Sequence, residues 1–307
     1  VINFQLSFEQ QFCFGMSDII NKFKITDGKD FSLKDHETSW CGDYEKDQTD
    51  EILSKMIKET AALQEALYAD NRYALLVIFQ AMDAGGKDGA IAHTLAGLNP
   101  EGVDVTSFKE PSAEELKHDF LWRHYKALPQ FGRIGVHNRS HYENVLVTKV
   151  HPDLLLNEKL PGIQSVKDVN RKFWKHRYES IREFEKHLVH NGTVIIKFFL
   201  NVSKEEQKQR FLDRIDDKDK NWKFSPSDIY ERKFWDDYMK AYEKAIQETA
   251  SHHSPWYVLP ADKKWFTRIA ISSIILETLK GLGLEYPTLH KAERDELEKA
   301  KKALLGE

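Results

Sequence analysis

The sequence predicts a three-layer α/β domain with a mostly parallel sheet, on three observations. Ala74 to Phe79 is a continuous apolar run of strand length, as expected of a strand buried on both faces. It leads through Gly85-Gly86-Lys87 into Ala90-Ile91-Ala92-His93-Thr94-Leu95, where apolar residues return at helical spacing. Strand-like and helix-like stretches then alternate over about 200 residues, the pattern of helices covering both faces of a parallel sheet.

The elements follow in order. Residues 17–48 are polar with scattered aromatics and read as an arm wrapping the domain. Thr49 or Asp50 is expected to cap a helix to about Asn71, with Ile52, Leu53, Met56, Ile57, Leu63 and Leu67 on its apolar face. Gly102 to Phe108 alternates as a second strand, broken by Lys109-Glu110-Pro111. Ser112 and Glu115 form a capping box opening a helix through Lys126. Arg133 to Val136 is a short third strand running into His137-Asn138-Arg139-Ser140. Asp168 to His190 is a long charged amphipathic helix, and Val194 to Leu200 a further buried strand. Ser203 and Glu206 make a second capping box for a helix to about Ile215, and Ser225-Pro226 starts another to about Ala250. Trp256 to Leu259 is the last strand, followed by a helix from Trp265 to Leu279. The expected organisation is an arm over 1–48, one domain over 49–287 with a lid at about 204–235, and a charged terminal helix over 288–307.

Bulk properties narrow the function. The 307 residues suffice for one large α/β domain or two smaller ones. A net charge of −4 argues against a general nucleic-acid binder, so any anion site must be a local concentration of Lys and Arg. Two cysteines, Cys13 and Cys41, give neither a disulfide framework nor a metal quartet, and a cytoplasmic location is expected. No apolar run approaches transmembrane length, so no membrane partner is expected. Phe4 to Met16 lacks the basic start and cleavage pattern of a signal peptide; Met16-Ser17-Asp18 reads as a native start, with residues 1–15 an upstream extension or an expression artefact.

Strand, glycine loop, lysine, helix is the layout of a phosphate-binding P-loop. Glycines let backbone N–H groups turn inward, the helix N-terminus adds its positive dipole end, and Lys87 brings a mobile charge. The match to the Walker A pattern G-x-x-x-x-G-K-[ST] is partial: Ala81 stands at the first glycine and Asp88 at the Ser or Thr. The same residues also suit an ordinary surface turn; the buried strand before and the helix after favour phosphate. In a parallel sheet ligands sit at the carboxyl ends of the strands. Asp83–Lys87, Lys109–Pro111, Asn138–Arg139 and Asp262 all fall there. Each has a plainer reading: Asp83 as a loop cap, Lys109 and Arg133 as solvated charges, Asn138 as a turn former, Asp262 as a helix N-cap.

Two families fit these residues. Lys109-Glu110-Pro111 and Asn138-Arg139 resemble elements of the thymidylate-type nucleoside monophosphate kinases. The closer resemblance is to the family-2 polyphosphate kinases. It is carried by Ala81-Met82-Asp83-Ala84-Gly85-Gly86-Lys87-Asp88-Gly89, Phe108 to Ser112, His118 to Arg123, Asn138 to Glu143, Asn221 to Asp228 and Pro260-Ala261-Asp262. These blocks occur in order over roughly residues 45–285 and are specific only together. The Asn-Arg-Ser-His-Tyr-Glu form at 138–143 resembles the subgroup acting on both AMP and ADP, although His137 stands where an apolar residue is usual.

The resemblance implies a P-loop kinase-like fold with a helical lid, and Mg²⁺-dependent, reversible phosphoryl transfer from inorganic polyphosphate to AMP and ADP, giving ADP and ATP. GMP and GDP are further candidate acceptors, and a homo-oligomer is expected. Asp83 is the best magnesium ligand, since a hard cation wants carboxylate oxygen, and Asn138 adds a neutral oxygen or acts through water. Lys87 and Arg139 contact the transferring phosphate; arginine offers a bidentate fork that lysine cannot. Ala84, Gly85, Gly86, Asp88 and Gly89 complete the phosphate loop. Arg123, Arg133, Arg210, Arg214, Lys218 and Lys223 are candidates for a polyphosphate track. For the lid members the alternative is a solvated, self-paired face, because Asp213, Asp216, Asp217 and Asp219 interleave. Lys109, Glu110, Asp119, Glu143 and Asp262 are candidates for the nucleotide. Trp222 and Phe224 either stack a base or form lid core, and His141 is read as a packing or hydrogen-bonding residue. The competing functions are the ATP-dependent nucleoside monophosphate kinase and a non-catalytic polyphosphate- or nucleotide-binding scaffold.

Overall fold

The computed structural model describes residues 19–306, without the side chain of Lys223. The expected native start and the 1–15 extension lie outside the described residues. Six strands form one sheet in the order β1-β6-β5-β2-β4-β3: β1 is Lys24–Ile25, β2 Ala74–Ala81, β3 Val103–Ser107, β4 Ile134–Asn138, β5 Thr193–Asn201 and β6 Trp256–Pro260. All neighbours are parallel except β1, which pairs antiparallel with β6. β2 is buried along its whole length, which its unbroken apolar run requires. The register sets Phe79 beside Asn138 on one side and Phe198 on the other.

Helices cover both faces. Thr49–Asp70, Lys87–Leu95 and Lys264–Lys280 pack together on one; Glu143–Val150, Arg171–His190 and Trp235–Thr249 pack together on the other. The chain fills one flank of β2 with β3 and β4, then crosses to β5 and β6. The carboxyl end of β2 is therefore where the connections part, the place a doubly wound sheet offers a ligand.

The expected arm contributes more than a wrap. Ile19, Phe23 and Phe31 are buried, and β1 adds an edge strand that two residues of sequence do not announce. Three helix expectations are corrected. Thr49 lies inside its helix and neither it nor Asp50 caps it; the N-cap is Gln48, with no side-chain bond. The Ser112–Glu115 box forms, with Ser112 N donating to Glu115 Oε2 at 2.7 Å, but it holds only the short turn Glu115–Lys117. Asp119 then accepts from Leu121 N at 2.9 Å, a local turn that competes with helix, and helix resumes at Trp122–Lys126. The helix begun at Ser225-Pro226 is broken into Pro226–Glu231, the turn Arg232–Phe234 and Trp235–Thr249. Tertiary bonds hold that break: Arg232 Nη1 donates to Gln207 Oε1 at 2.7 Å, and Glu231 accepts from the Tyr238 hydroxyl at 2.7 Å. The terminal helix, Lys291–Leu305, has no buried residue.

One buried polar cluster lies within the core. Lys197 of β5 donates to Glu185 at 2.6 Å and to the Tyr142 hydroxyl at 3.0 Å. The Tyr142 hydroxyl, Ser254 and His141 also face Glu185, at 2.7, 2.8 and 3.2 Å. Burial works against the Glu185 charge, yet Lys197 and His141 hold its carboxyl down to about 2.

Candidate active site

The turn after β2 is shaped by close approaches that sequence chemistry explains. A Cβ on Gly85 would lie 2.7 Å from Ala81 Cβ and from Met82 O, so only glycine fits. Gly86 has φ +99° and opens the helix Lys87–Leu95, leaving its first N–H groups directed at the space beyond the sheet. Lys87 folds back under the loop, where Nζ donates to Ala81 O at 2.8 Å and Met82 O at 3.3 Å. Burial and the nearby Arg139 lower its ammonium from the usual value, while Asp83, Glu143 and Asp88 oppose that shift. Two of its three donors are used, so one remains for an anion.

Beside this loop β4 ends in Asn138-Arg139. Arg139 sits at φ +64°, a left-handed conformation costing a non-glycine residue about 1–2 kcal/mol. It is held there by its N–H to Phe79 O at 3.0 Å, and Nη2 donates to Asp83 Oδ1 at 2.8 Å. Burial disfavours the Arg139 charge, but Glu143 and Asp83 outweigh it and the net shift is upward. Glu143 opens the next helix; burial raises its carboxyl above the usual range, with Arg139 and Lys87 pulling the other way. Asn138 Nδ2 donates to Asp88 Oδ1 at 2.8 Å, linking the two loops.

These groups face a cleft of about 910 Å³ lined by residues 83–90, Ser107 to Glu110, Asn138 and Arg139, and closed on its far side by the 204–235 segment through Arg214, Lys220, Trp222 and Asp228. A smaller cavity of about 170 Å³ shares Asp83, Arg139 and Asp228 with it and reaches Glu143. Most sequence-predicted residues thus converge: Asp83 through Gly89, Lys109, Glu110, Asn138, Arg139 and Arg214 on the large cleft, Glu143 on the small one.

Others are placed differently. Arg133 precedes β4 and lies at the amino end of the sheet, where Nη1 faces Asp104 at 3.3 Å; it cannot join a track at the carboxyl end. Arg123 braces the Lys109 turn instead, donating to Lys109 O at 2.7 Å and lying over the Phe108 ring. Arg210 reaches the cleft wall but spends its guanidinium on protein: Nε on Glu206 at 2.8 Å, Nη1 on Ala84 O at 3.2 Å, and Nη2 on Ala261 O and Asp262 O. It clamps the phosphate loop to the end of β6. Asp262 is not in the lining of either cavity and does not cap the helix. Its carboxylate accepts from Ser203 N and the Thr38 hydroxyl, both at 2.7 Å, and the helix N-cap is Lys263. Asp119 is used in its own turn, and Lys218 is exposed away from both cavities. The side chain of Lys223 lies outside the described residues.

Two cations escaped the sequence reading. Lys264 and Arg268, one turn apart on the helix Lys264–Lys280, line the cleft beyond the phosphate loop. Neither forms an ion pair among the described residues, and burial lowers both from their usual values. Their signal was an i, i+4 basic pair at the start of an otherwise apolar helix.

The donor set suits a magnesium-type cation. Among the described residues no cluster of three or more His, Cys, Asp or Glu could cage a metal. Mg²⁺ needs no such cage: it keeps waters and takes one or two protein oxygens plus substrate phosphates. Asp83 offers that carboxylate, a third exposed toward the cleft, with only Oδ1 engaged by Arg139.

Comparisons with known proteins agree with this geometry. The polyphosphate kinase 2 (PPK2) family model matches residues 43–285. An ADP-polyphosphate phosphotransferase from Rhodopseudomonas palustris is 50% identical over 285 residues, covering 92% of this chain and 98% of that protein. An AMP/ADP-polyphosphate phosphotransferase from Meiothermus ruber is 42% identical over 270 residues, covering 87% and 96%. The crystal structure of polyphosphate kinase 2 from Arthrobacter aurescens TC1 superposes with a TM-score of 0.80 at 38% identity, covering 90% of this chain and 95% of that one. A phosphate loop at the central strand, an arginine held against its aspartate and a match spanning most of the sequence place this chain in the polyphosphate kinase 2 family.

Proposed function

We propose that this protein transfers a phosphoryl group from inorganic polyphosphate to AMP and ADP, giving ADP and ATP, reversibly and with Mg²⁺. The observation that carries the donor is the pair Lys264 and Arg268. Both line the cleft without an ion pair among the described residues, with Glu206 and Asp213 acting on Lys264, and Asp50 on Arg268, only at longer range. A polyanion lying along the cleft would thus meet two partly buried cations. The names of the relatives from R. palustris and M. ruber support the same donor and acceptors, whereas none of the similarities supports an ATP-dependent nucleoside monophosphate kinase.

The chemistry asks little of the protein as an acid or base. An oxygen of the acceptor phosphate is already an anion, so it bonds to the terminal phosphorus of the donor without losing a proton. The bridging P–O bond breaks, and its electron pair leaves on a chain shorter by one phosphate. Catalysis is positioning and charge neutralisation. The loop N–H groups and Lys87 hold the phosphate being moved. Arg139 turns its fork toward the same group from its place beside Asp83, which orients it, and the Glu143 charge favours the guanidinium. Asp83, with Asn138 adding a neutral oxygen or a bound water, would hold Mg²⁺. When bound, the cation neutralises phosphate charge. With Arg123, Arg133 and Arg210 engaged by protein groups, Lys218 outside the lining of both cavities and the Lys223 side chain outside the described residues, Arg214 is kept and Lys264 and Arg268 are added as the proposed members of the donor track.

A coupled nucleotide assay with polyphosphate and no ATP, run separately on AMP and ADP, tests the reading. ATP formation from both is expected. Turnover only with ATP as donor would return the nucleoside monophosphate kinase, and binding without turnover would return the scaffold.

A further inference from the structure

We propose that Gln207 is a positioning residue for phosphoryl transfer, its side-chain amide tying the Asp83–Ala84 turn to Arg232. This rests on the functional reading above and adds how the phosphate loop is held in its working shape. Gln207 stands on the helix Lys204–Asp216 and is buried. Its Nε2 donates to Asp83 O at 2.9 Å, and its Oε1 accepts from Arg232 Nη1 at 2.7 Å. The partners fix which way the amide points, because a carbonyl only accepts and a guanidinium only donates.

The turn needs holding. Ala84 is left-handed, with φ +55°, a conformation that its Cβ disfavours. Two peptide planes flank its Cα, and the carbonyl of each is held from the same helix. Gln207 takes Asp83 O, and Arg210, one turn on, takes Ala84 O at 3.2 Å. Fixing both planes fixes φ and ψ of Ala84, and with them the course of the loop from Asp83, whose carboxylate meets Arg139, into Gly85. The two clamps lead to different places. Arg210 is anchored on Glu206 and the end of β6. Gln207 is anchored on Arg232, at the break between Pro226–Glu231 and Trp235–Thr249. The shape of the loop therefore depends on how that break is seated.

The test compares wild type with Gln207→Met, Gln207→Glu, Arg232→Met and the Gln207→Met/Arg232→Met double variant. Amide hydrogen exchange is followed in the peptide spanning residues 82–87, together with kcat and KM for ADP and for polyphosphate. Gln207→Met loses both bonds; Gln207→Glu keeps an acceptor for Arg232 and loses the donor to Asp83 O. Both should speed exchange across the peptide and lower kcat about tenfold or more, the scale of losing a group that orients a metal-facing ligand. Each KM should change less than about twofold. Arg232→Met should act in the same direction more weakly, and add nothing in the Gln207→Met background, as coupled residues do. Wild-type exchange and kcat in Gln207→Glu would overturn the proposal and leave Gln207 a support for Arg232 alone. So would a loss carried by KM rather than kcat, or an Arg232→Met effect that adds in full. Failure of the wild type to make ATP from polyphosphate would strike the functional reading instead, and the exchange comparison would still decide whether Gln207 holds the turn.

Discussion

Two ion pairs of nearly equal length show what separates framework from machinery in this protein. Lys197–Glu185 spans 2.6 Å and Arg139–Asp83 spans 2.8 Å. The first pair is at most 1% exposed, and its ammonium and carboxylate are saturated by Tyr142, Ser254, His141 and the Thr249 carbonyl. The second is 34–40% exposed, sits on a left-handed residue and keeps donors and an oxygen facing a cleft. Distance does not distinguish them; spare valence does. The same contrast sorts the cations, since Arg210 is close to the phosphate loop but has four of its five N–H donors engaged by protein, whereas Lys264 and Arg268 line the cleft without an ion pair among the described residues.

The sharpest way to break the comparison is to cut each pair once. Lys197→Met leaves a buried carboxylate without its cation and should cost about 3–5 kcal/mol of stability by denaturant unfolding, while the folded fraction stays active. Restoring apolar neutrality with Lys197→Met/Glu185→Leu should recover much of that loss. Lys87→Ala should do the reverse. Loss of one charge aimed at the transferring phosphate should cost about 3 kcal/mol or more in kcat/KM for polyphosphate, with the unfolding midpoint near wild type. Near-wild-type kinetics in Lys87→Ala would remove the phosphate-loop assignment, and a stable Lys197→Met would make the core pair dispensable.

A smaller effect comes from the histidines behind Asn138 and Arg139. His124 and His137 flank Phe108, with ring centroids 4.2 and 4.9 Å away. Burial lowers His137 to about 4, and His141 adds to the shift; burial likewise places His124 well below the usual value. Both are neutral in the folded state, and the unfolded chain binds the extra protons. Stability is therefore complete above about pH 6.5 and declines as pH falls from there toward 4. Glu185 should add a second decline from the usual carboxylate range down to about 2. In unfolding curves across pH, His137→Phe should flatten the upper part and leave the lower part in place. An unchanged upper slope would mean that His137 does not titrate on unfolding.

Much of this was legible. Apolar runs announce β2 and β5 because a strand buried on both faces has no polar side to interrupt it. The polar residues after β2 and β4 mark the site because parallel strands all end there. Arg133 illustrates a signal that was present but misread: a residue that opens a parallel strand lies at its amino end, away from the ligand. The fates of Asp262 and Arg210 were not legible. Thr38, which occupies the Asp262 carboxylate, is 224 residues distant, and the carbonyls that consume Arg210 belong to loops 126 and 51 residues away. Sequence states which groups are charged; only the folded chain states which charges are already spent.

The weakest expected effect sharpens that last distinction. A polyphosphate chain carries about one charge per phosphate, and each phosphate neutralised by a protein cation releases condensed counterion. The logarithm of its affinity should then fall linearly with the logarithm of salt, with a slope of roughly −0.7 per contact if it behaves as single-stranded polyanions do. The whole-protein field cannot supply the attraction, because the net charge is −4. If Lys264 and Arg268 each meet one phosphate, Lys264→Ala/Arg268→Ala should flatten the slope for polyphosphate by a little more than one unit. AMP, with a single phosphate, should bind nearly as before. Arg133→Ala is the matched control: an equally real cation, at the amino end of β4 and paired with Asp104, whose removal should leave the slope untouched. Parallel lines for wild type and the Lys264/Arg268 double variant would place the polyphosphate path along another wall of the cleft, and Arg214 would be the next residue to remove.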